Sequence, residues 1–243
     1  KAELYDYIAA NGLGIFIHAD NEYLKKMAEK AKVHPDKQVT YGMKSHPDLS
    51  MVTGKVIAGD PFLTMECQTG IVFDVKTRLI GTYNAENVLA AVAIGHFFGL
   101  KNNQIKQGIE NYEPKNNRSQ FVETGKNKLI VDAYNANPTS MQAAILNFAD
   151  MQTEKKMLIL GDMLELGNQS AEEHQSIINL LEDKGFENVL LVGCEFKNTK
   201  HSFRVFEKAE NLSALLKEQC PENYTILIKG SRGIQLEKII SLL

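Results

Sequence analysis

Apolar residues fall into short dense runs separated by amphipathic stretches. Leu4, Tyr7 and Ile8 recur at helical spacing, Gly14-Ile15-Phe16-Ile17-His18 reads as a buried strand ending at Asp20-Asn21, and a helix is expected over 22–32. Between Val39 and Leu79, Val, Ile, Thr and Phe are broken by Gly54, Gly59-Asp60-Pro61 and Gly70, a texture that predicts short antiparallel strands joined as hairpins. Residues 85–99 are Ala-rich and predict a helix buried on most sides, which Gly99 can end with a positive φ. A shorter helix is expected over 105–112.

The pattern then changes. Asn111-Tyr112-Glu113-Pro114-Lys115-Asn116-Asn117-Arg118 carries a proline, three asparagines and no aliphatic residue, as an interdomain linker does. This divides the chain into 1–113 and 114–243. Beyond the linker, apolar runs at 128–133, 157–161, 189–193 and 225–229 alternate with helical patterns at 140–151, 171–184, 211–218 and 234–242. Such alternation predicts an α/β protein whose carboxyl-terminal part is a doubly wound, mostly parallel, Rossmann-like sheet, with ligands at the carboxyl ends of its strands.

Composition narrows the function classes. The 243 residues are 44% apolar and 23% charged with a net charge of -3, so the chain can bury a core but carries no overall basic field for nucleic acid or anionic lipid. No apolar run approaches the ~20 residues that cross a bilayer. Cys67, Cys194 and Cys220 are far apart and odd in number, which predicts neither a disulfide framework nor a thiolate zinc site and fits a reducing, cytoplasmic setting. The six histidines never fall at metal-ligand spacing, and no Ser/His/Asp arrangement stands out, so protease and zinc-hydrolase readings are set aside. The start, Lys1-Ala2-Glu3-Leu4-Tyr5, has neither an initiator methionine nor signal-peptide character and predicts a piece of a longer chain.

Four segments carry candidate chemistry. Lys229-Gly230-Ser231-Arg232-Gly233 follows a strand and opens a helix, where free N–H groups and two cations attract anions; solvated charges around a helix cap read equally well. Asp132, at a strand end, suits a ribose or a cation, with Asn135 and Asn137 able to donate and accept; an Asx-rich turn with Ser140 as a helix cap is the alternative. Asn84 and Asn87 sit three apart on one face of a first helical turn and could read a purine edge, or cap the helix. Gly161-Asp162-Met163-Leu164-Glu165-Leu166-Gly167, with His174 beyond, offers two carboxylates or a plain loop and a solvated helix start.

Together these segments resemble the Mur ligase family. The matching pieces are Gly81-Thr82-Tyr83-Asn84-Ala85-Glu86-Asn87-Val88-Leu89-Ala90-Ala91, Arg118, Val131-Asp132-Ala133-Tyr134-Asn135-Ala136-Asn137-Pro138-Thr139-Ser140-Met141, Leu160-Gly161-Asp162-Met163-Leu164-Glu165-Leu166-Gly167 and Lys229-Gly230-Ser231-Arg232, in the family's order and spacing across nearly the whole chain. The resemblance implies ATP-dependent amide ligases of three domains, and implies that 1–113 is the second half of the central ATP-binding domain, a mixed sheet with helices, and 114–243 the carboxyl-terminal ligase domain. The first domain and the phosphate loop would lie outside this chain, leaving it inactive alone.

The same resemblance points to the member that joins D-Ala-D-Ala to UDP-N-acetylmuramoyl-tripeptide in peptidoglycan precursor synthesis, working as a monomer. It implies ATP and Mg2+ as cofactors, Asn84 and Asn87 near the adenine, Asp132 at the ribose, and Arg118 at the phosphates as a catalytic residue. Lys1, if carbamylated, would be catalytic and help hold the metal. Tyr134, Asn135, Asn137, Ser140, Lys229 and Arg232 would line the dipeptide pocket. A folylpolyglutamate synthetase is the sister reading, against which the Asn-Ala-Asn-Pro string speaks; a non-catalytic nucleotide- or peptide-binding module is the other.

Overall fold

The computed structural model describes residues 2–44 and 51–243, which form two compact units: one up to Arg78 with Thr82–Tyr112, the other Glu113–Leu243 with Leu79–Gly81. The first contains α1 (Ala2–Ala10), β1 (Ile15–His18), α2 (Glu22–Lys30), β2 (Gln38–Gly42), β3 (Met51–Ala58), β4 (Phe62–Gln68), β5 (Val72–Ile80), α3 (Ala85–Phe97) and α4 (Asn102–Glu110). Its sheet runs β1-β2-β3-β4-β5.

The expected hairpins are found only in part. β3 and β4 are antiparallel, but β2 runs parallel to both β1 and β3. The β-forming residues of β2 are the same in either direction; what sets the direction is the helical crossover, α2, between β1 and β2. Asn21 starts that helix, its Oδ1 accepting from the Tyr23 and Leu24 N–H groups at 3.1 and 3.3 Å. α3 buries Ala85, Val88, Leu89, Val92 and Ala93, one face at i, i+3, i+4, i+7, i+8 spacing, against the strands. Its close approach needs Gly54 on β3, where a Cβ would stand 2.8 Å from Leu89 Cδ2 and 2.6 Å from the Glu66 carbonyl.

The second unit contains β6 (Gln120–Glu123), β7 (Lys128–Asp132), α5 (Pro138–Asp150), β8 (Lys156–Gly161), α6 (Ser170–Asp183), β9 (Val189–Val192), α7 (Cys194–Lys197), β10 (Arg204–Phe206), α8 (Ala209–Glu218) and β11 (Thr225–Lys229). The strand order is β10-β9-β8-β11-β7-β6, parallel throughout except for β6, which is antiparallel to β7. Leu129, Val131, Ile159, Ile226 and Ile228 pack on one face with Leu212 and Leu216 of α8 and with Leu236 and Ile239. The alternate residues Ile130, Leu158, Leu160 and Leu227 point the other way and are also buried, which leaves α5 and α6 to cover that face.

The helix expected over 234–242 is instead two 3-10 segments, Arg232–Ile234 and Leu236–Leu242, separated by Gln235 in the left-handed conformation at φ 60°. A residue in that conformation interrupts the helical hydrogen-bond ladder. No helix among the described residues is long and apolar enough to cross a membrane.

All three cysteines are free. Cys67 on β4 is buried, and desolvation first, then the charges of Asp74 and Glu66, push its thiol up to about 11. Only the thiolate reacts. Ellman's reagent at pH 8 is therefore expected to modify the exposed Cys194 rapidly and Cys67 only after unfolding, and fast labelling of Cys67 in the folded chain would contradict this.

Candidate active site

The second unit's chemistry collects at the carboxyl ends of β7, β8 and β11. Because β11 is inserted between β7 and β8, Lys229 sits in register with Asp132 on one side and Leu160 on the other. Cross-strand partners share a face, so the Lys229 ammonium reaches Asp132 Oδ2 at 2.5 Å and the Asn135 carbonyl at 3.4 Å. Lys229 is 1% exposed. An ammonium so deep must be paired, and the expected dipeptide contact is instead engaged with Asp132. The other Asp132 oxygen accepts the Ser119 N–H at 3.1 Å, fixing the carboxylate from both sides.

The segment after β11 opens no anion-binding helix, since only the three residues Arg232–Ile234 turn there. Ser231 is buried and joins three loops: its N–H donates to the Asp162 carbonyl (3.0 Å), and its Oγ accepts from the Leu164 N–H (2.9 Å) and donates to the Ala136 carbonyl (3.4 Å). Ser231→Ala strands the Leu164 N–H, which costs about 1–2 kcal/mol, or roughly 3–6 °C in a chain this size. A melting curve unchanged by that substitution would remove Ser231 from this role.

Asn135 Oδ1 accepts from the Ala136 N–H at 2.9 Å. Asn137, rather than Ser140, is the residue that caps α5: its Oδ1 accepts the Ser140 N–H at 2.9 Å, Pro138 takes the first helical position, and Ser140 Oγ accepts the Asn137 N–H at 3.2 Å. The capping reading thus describes these two, and both reach the surface at the mouth of the sheet edge.

Three residues with positive φ, Asn116 (59°), Asn117 (58°) and Ser119 (45°), fold the chain around Arg118. Its guanidinium carbon lies 3.9 Å from the Tyr134 ring centroid, and that of Arg232 lies 5.6 Å from the same centroid. Arg118, Asp132, Tyr134, Asn135, Lys229 and Arg232 are therefore neighbours.

Asp162 and His174, expected as part of a loop and a solvated helix start, are buried instead. Asp162 Oδ2 and Oδ1 accept the Glu195 and Phe196 N–H groups at 2.9 and 3.0 Å and so hold α7. His174 Nε2 accepts the Met163 N–H at 3.0 Å, which puts the ring proton on Nδ1, facing the Ser170 carbonyl at 2.7 Å. This tautomer leaves His174 no free nitrogen for catalysis. Desolvation raises the Asp162 pKa above the ordinary 3.8, outweighing the two backbone N–H bonds and His174. A folded value above the unfolded one means the ionised Asp162 subtracts from stability as pH rises through the window above 3.8.

In the first unit, Asn84 is buried just ahead of α3 but makes no side-chain cap bond to it. Asn87 Nδ2 donates to Asn84 Oδ1 at 3.0 Å, so the two amides are bound to each other and Asn87 remains exposed. Lys1 lies outside the described residues. Among the described residues no group of three or more His, Cys, Asp and Glu could hold a metal ion, so they form no cage for the magnesium that the resemblance implies.

Ser119, Ser231 and the buried Asp162 and His174 hold the loops around this edge, and sequence reasoning undervalues them. The strings Gly-Asp-Met and Lys-Gly-Ser hold the signal, but a serine's partner across three loops is not a local property.

Two family profiles match the chain: the Mur ligase middle domain over residues 1–95, and the Mur ligase, glutamate ligase domain, over 117–232. A UDP-N-acetylmuramoyl-tripeptide–D-alanyl-D-alanine ligase of Treponema pallidum is 35% identical over 178 residues, covering 70% of this chain and 39% of the relative. The Bacillus subtilis protein of the same name is 29% identical over 244 residues, covering 95% and 52%. The crystal structure of a Thermotoga maritima MurF ligase in complex with ADP superposes with a TM-score of 0.74 at 18% identity, covering 93% of this chain and 52% of that one, a likeness of fold. The chain spans about half the length of the curated relatives it matches.

Proposed function

The chain belongs to the Mur ligase family, and from that premise we propose that it is part of an ATP-dependent ligase that joins D-Ala-D-Ala to UDP-N-acetylmuramoyl-tripeptide. The observation that carries this reading is the sheet edge at which Asp132, fixed by a buried lysine, adjoins two guanidinium groups with no carboxylate against them among the described residues. Relatives of that name match nearly the whole chain.

Each residue's task follows from its chemistry. Asp132 accepts the ribose hydroxyls, and Lys229, acting through it, keeps both carboxylate oxygens oriented. Asn84 and Asn87 offer amide donors and acceptors to the adenine edge. The tripeptide carboxylate attacks the γ-phosphorus, the bond to the bridging oxygen breaks and ADP leaves, giving an acyl phosphate; the dipeptide amine then adds to its carbonyl carbon, and the tetrahedral intermediate collapses to the amide with loss of phosphate and of the amine proton. Both steps gather negative charge, which Arg118 can hold through two phosphate oxygens at once. Asn135, Asn137 and Ser140 line the dipeptide pocket, with Tyr134 and Arg232 at the border that it shares with the phosphates.

The intact enzyme, given ATP with magnesium, is expected to release phosphate only when UDP-N-acetylmuramoyl-tripeptide and D-Ala-D-Ala are both present. Release supported equally by a folate with glutamate, or none with the two proposed substrates, would overturn the reading.

A further inference from the structure

Arg118 precedes β6 and Arg232 follows β11, yet both stand over the ring of Tyr134, at 3.9 and 5.6 Å from its centroid. Neither guanidinium has an ion pair or hydrogen bond among the described residues. The nearby acid, Asp132, is already engaged by Lys229. Two like charges gathered without a counter-ion repel each other, and the negative face of the ring is what offsets that repulsion. Charge assembled in this way is left for a ligand to neutralise, and Tyr134 is 36% exposed, so solvent reaches it.

We propose that Tyr134 is a positioning residue that presents Arg118 and Arg232 as a pair to one ligand carrying two adjacent phosphoryl groups. The inference rests on the ligase reading for its physiological ligand, and goes beyond it in giving the ring, rather than the hydroxyl, the task. The two guanidinium carbons lie within about 9.5 Å of each other, the most that their distances to one centroid allow, so a pyrophosphate can meet both forks.

The test is calorimetric titration of the 243-residue chain with inorganic pyrophosphate. Tyr134→Leu is expected to weaken binding by about tenfold or more, and Tyr134→Phe, which keeps the π-face, by less than about twofold. In an Arg118→Ala/Arg232→Ala background the leucine substitution should change nothing further. The arginine Nε–Hε signals of both residues should move together on titration in the wild type and the phenylalanine variant, a readout that a merely structural tyrosine would not affect. No measurable pyrophosphate binding by the wild type, leucine binding like the wild type, phenylalanine as weak as leucine, or a leucine effect persisting without the arginines would each overturn the proposal. The titration needs neither dipeptide nor turnover, so the platform can hold where the ligase reading fails, and fail where the ligase reading holds.

Discussion

Arg118→Ala in the intact enzyme is expected to lower turnover by about 10³-fold or more, the scale on which a guanidinium stabilising a phosphoryl-transfer transition state acts. The fold should scarcely notice. Arg118 is exposed and its guanidinium rests on the Tyr134 ring at 3.9 Å, so its removal belongs with surface substitutions, worth within about 0.5 kcal/mol, or about 2 °C, in thermal unfolding. Arg118→Lys should not restore the rate: an ammonium keeps the charge but acts at a point, whereas the planar fork engages two oxygens. Steady-state phosphate release and a melting curve on the same samples decide the matter. Turnover within a few-fold of the wild type would refute a phosphate-binding Arg118; a collapsed melting temperature would mean the arginine supports the fold instead.

The elements of the two units differ sharply in how legible they are in the sequence. Leu158-Ile159-Leu160 and Ile226-Leu227-Ile228 are covered on both faces, and strands of that kind are written as unbroken apolar runs. α3 is legible as a helix but not in its burial: its dense small and apolar residues predict cover on most sides, yet only the face of Ala85, Val88, Leu89, Val92 and Ala93 is buried, while Ile94 and Phe97 are exposed. The short edge strands β6 and β10 are not, because Gln120–Glu123 and Arg204–Phe206 are half exposed and too brief to show alternation. Direction is lost too: Val39-Thr40-Tyr41 suits a strand of either sense, and only the crossover decides.

The site divides along the same line. The amide of Asn137 at the mouth of α5 is readable, since capping depends on the next three residues. The Asp132–Lys229 pair is not, because it exists only once β11 is inserted between β7 and β8, and strand order is written nowhere locally. His174 gives no sign of burial either, as its partners, Met163 and Ser170, meet it through a loop whose path periodicity does not encode.

Gly193→Ala should destabilise the second unit by about 4 kcal/mol or more, beyond what most single substitutions reach. Gly193 links β9 to α7 at φ 132°, in the region that L side chains rarely adopt, and that strain alone is worth about 1–3 kcal/mol. The steric conflict adds to it. A Cβ would lie 2.1 Å from Asp162 Cγ and Oδ2, well inside van der Waals contact. Asp162 cannot retreat cheaply, because its oxygens hold the Glu195 and Phe196 N–H groups at 2.9 and 3.0 Å, and each buried N–H left unsatisfied costs about 1–3 kcal/mol. The Gly193 backbone is no freer, since its own N–H donates to the Phe206 carbonyl at 2.8 Å on β10. Urea denaturation should show the midpoint falling by roughly 2 M at an m-value of about 2 kcal/mol/M. Asp162→Ala removes the atoms in conflict, so adding Gly193→Ala to it should cost only the backbone strain, and the two substitutions should be strongly non-additive. Additive losses would show that the carboxylate is not what excludes a side chain at residue 193, and a Gly193→Ala variant as stable as the wild type would show that the β9–α7 junction does not pack against Asp162 at all.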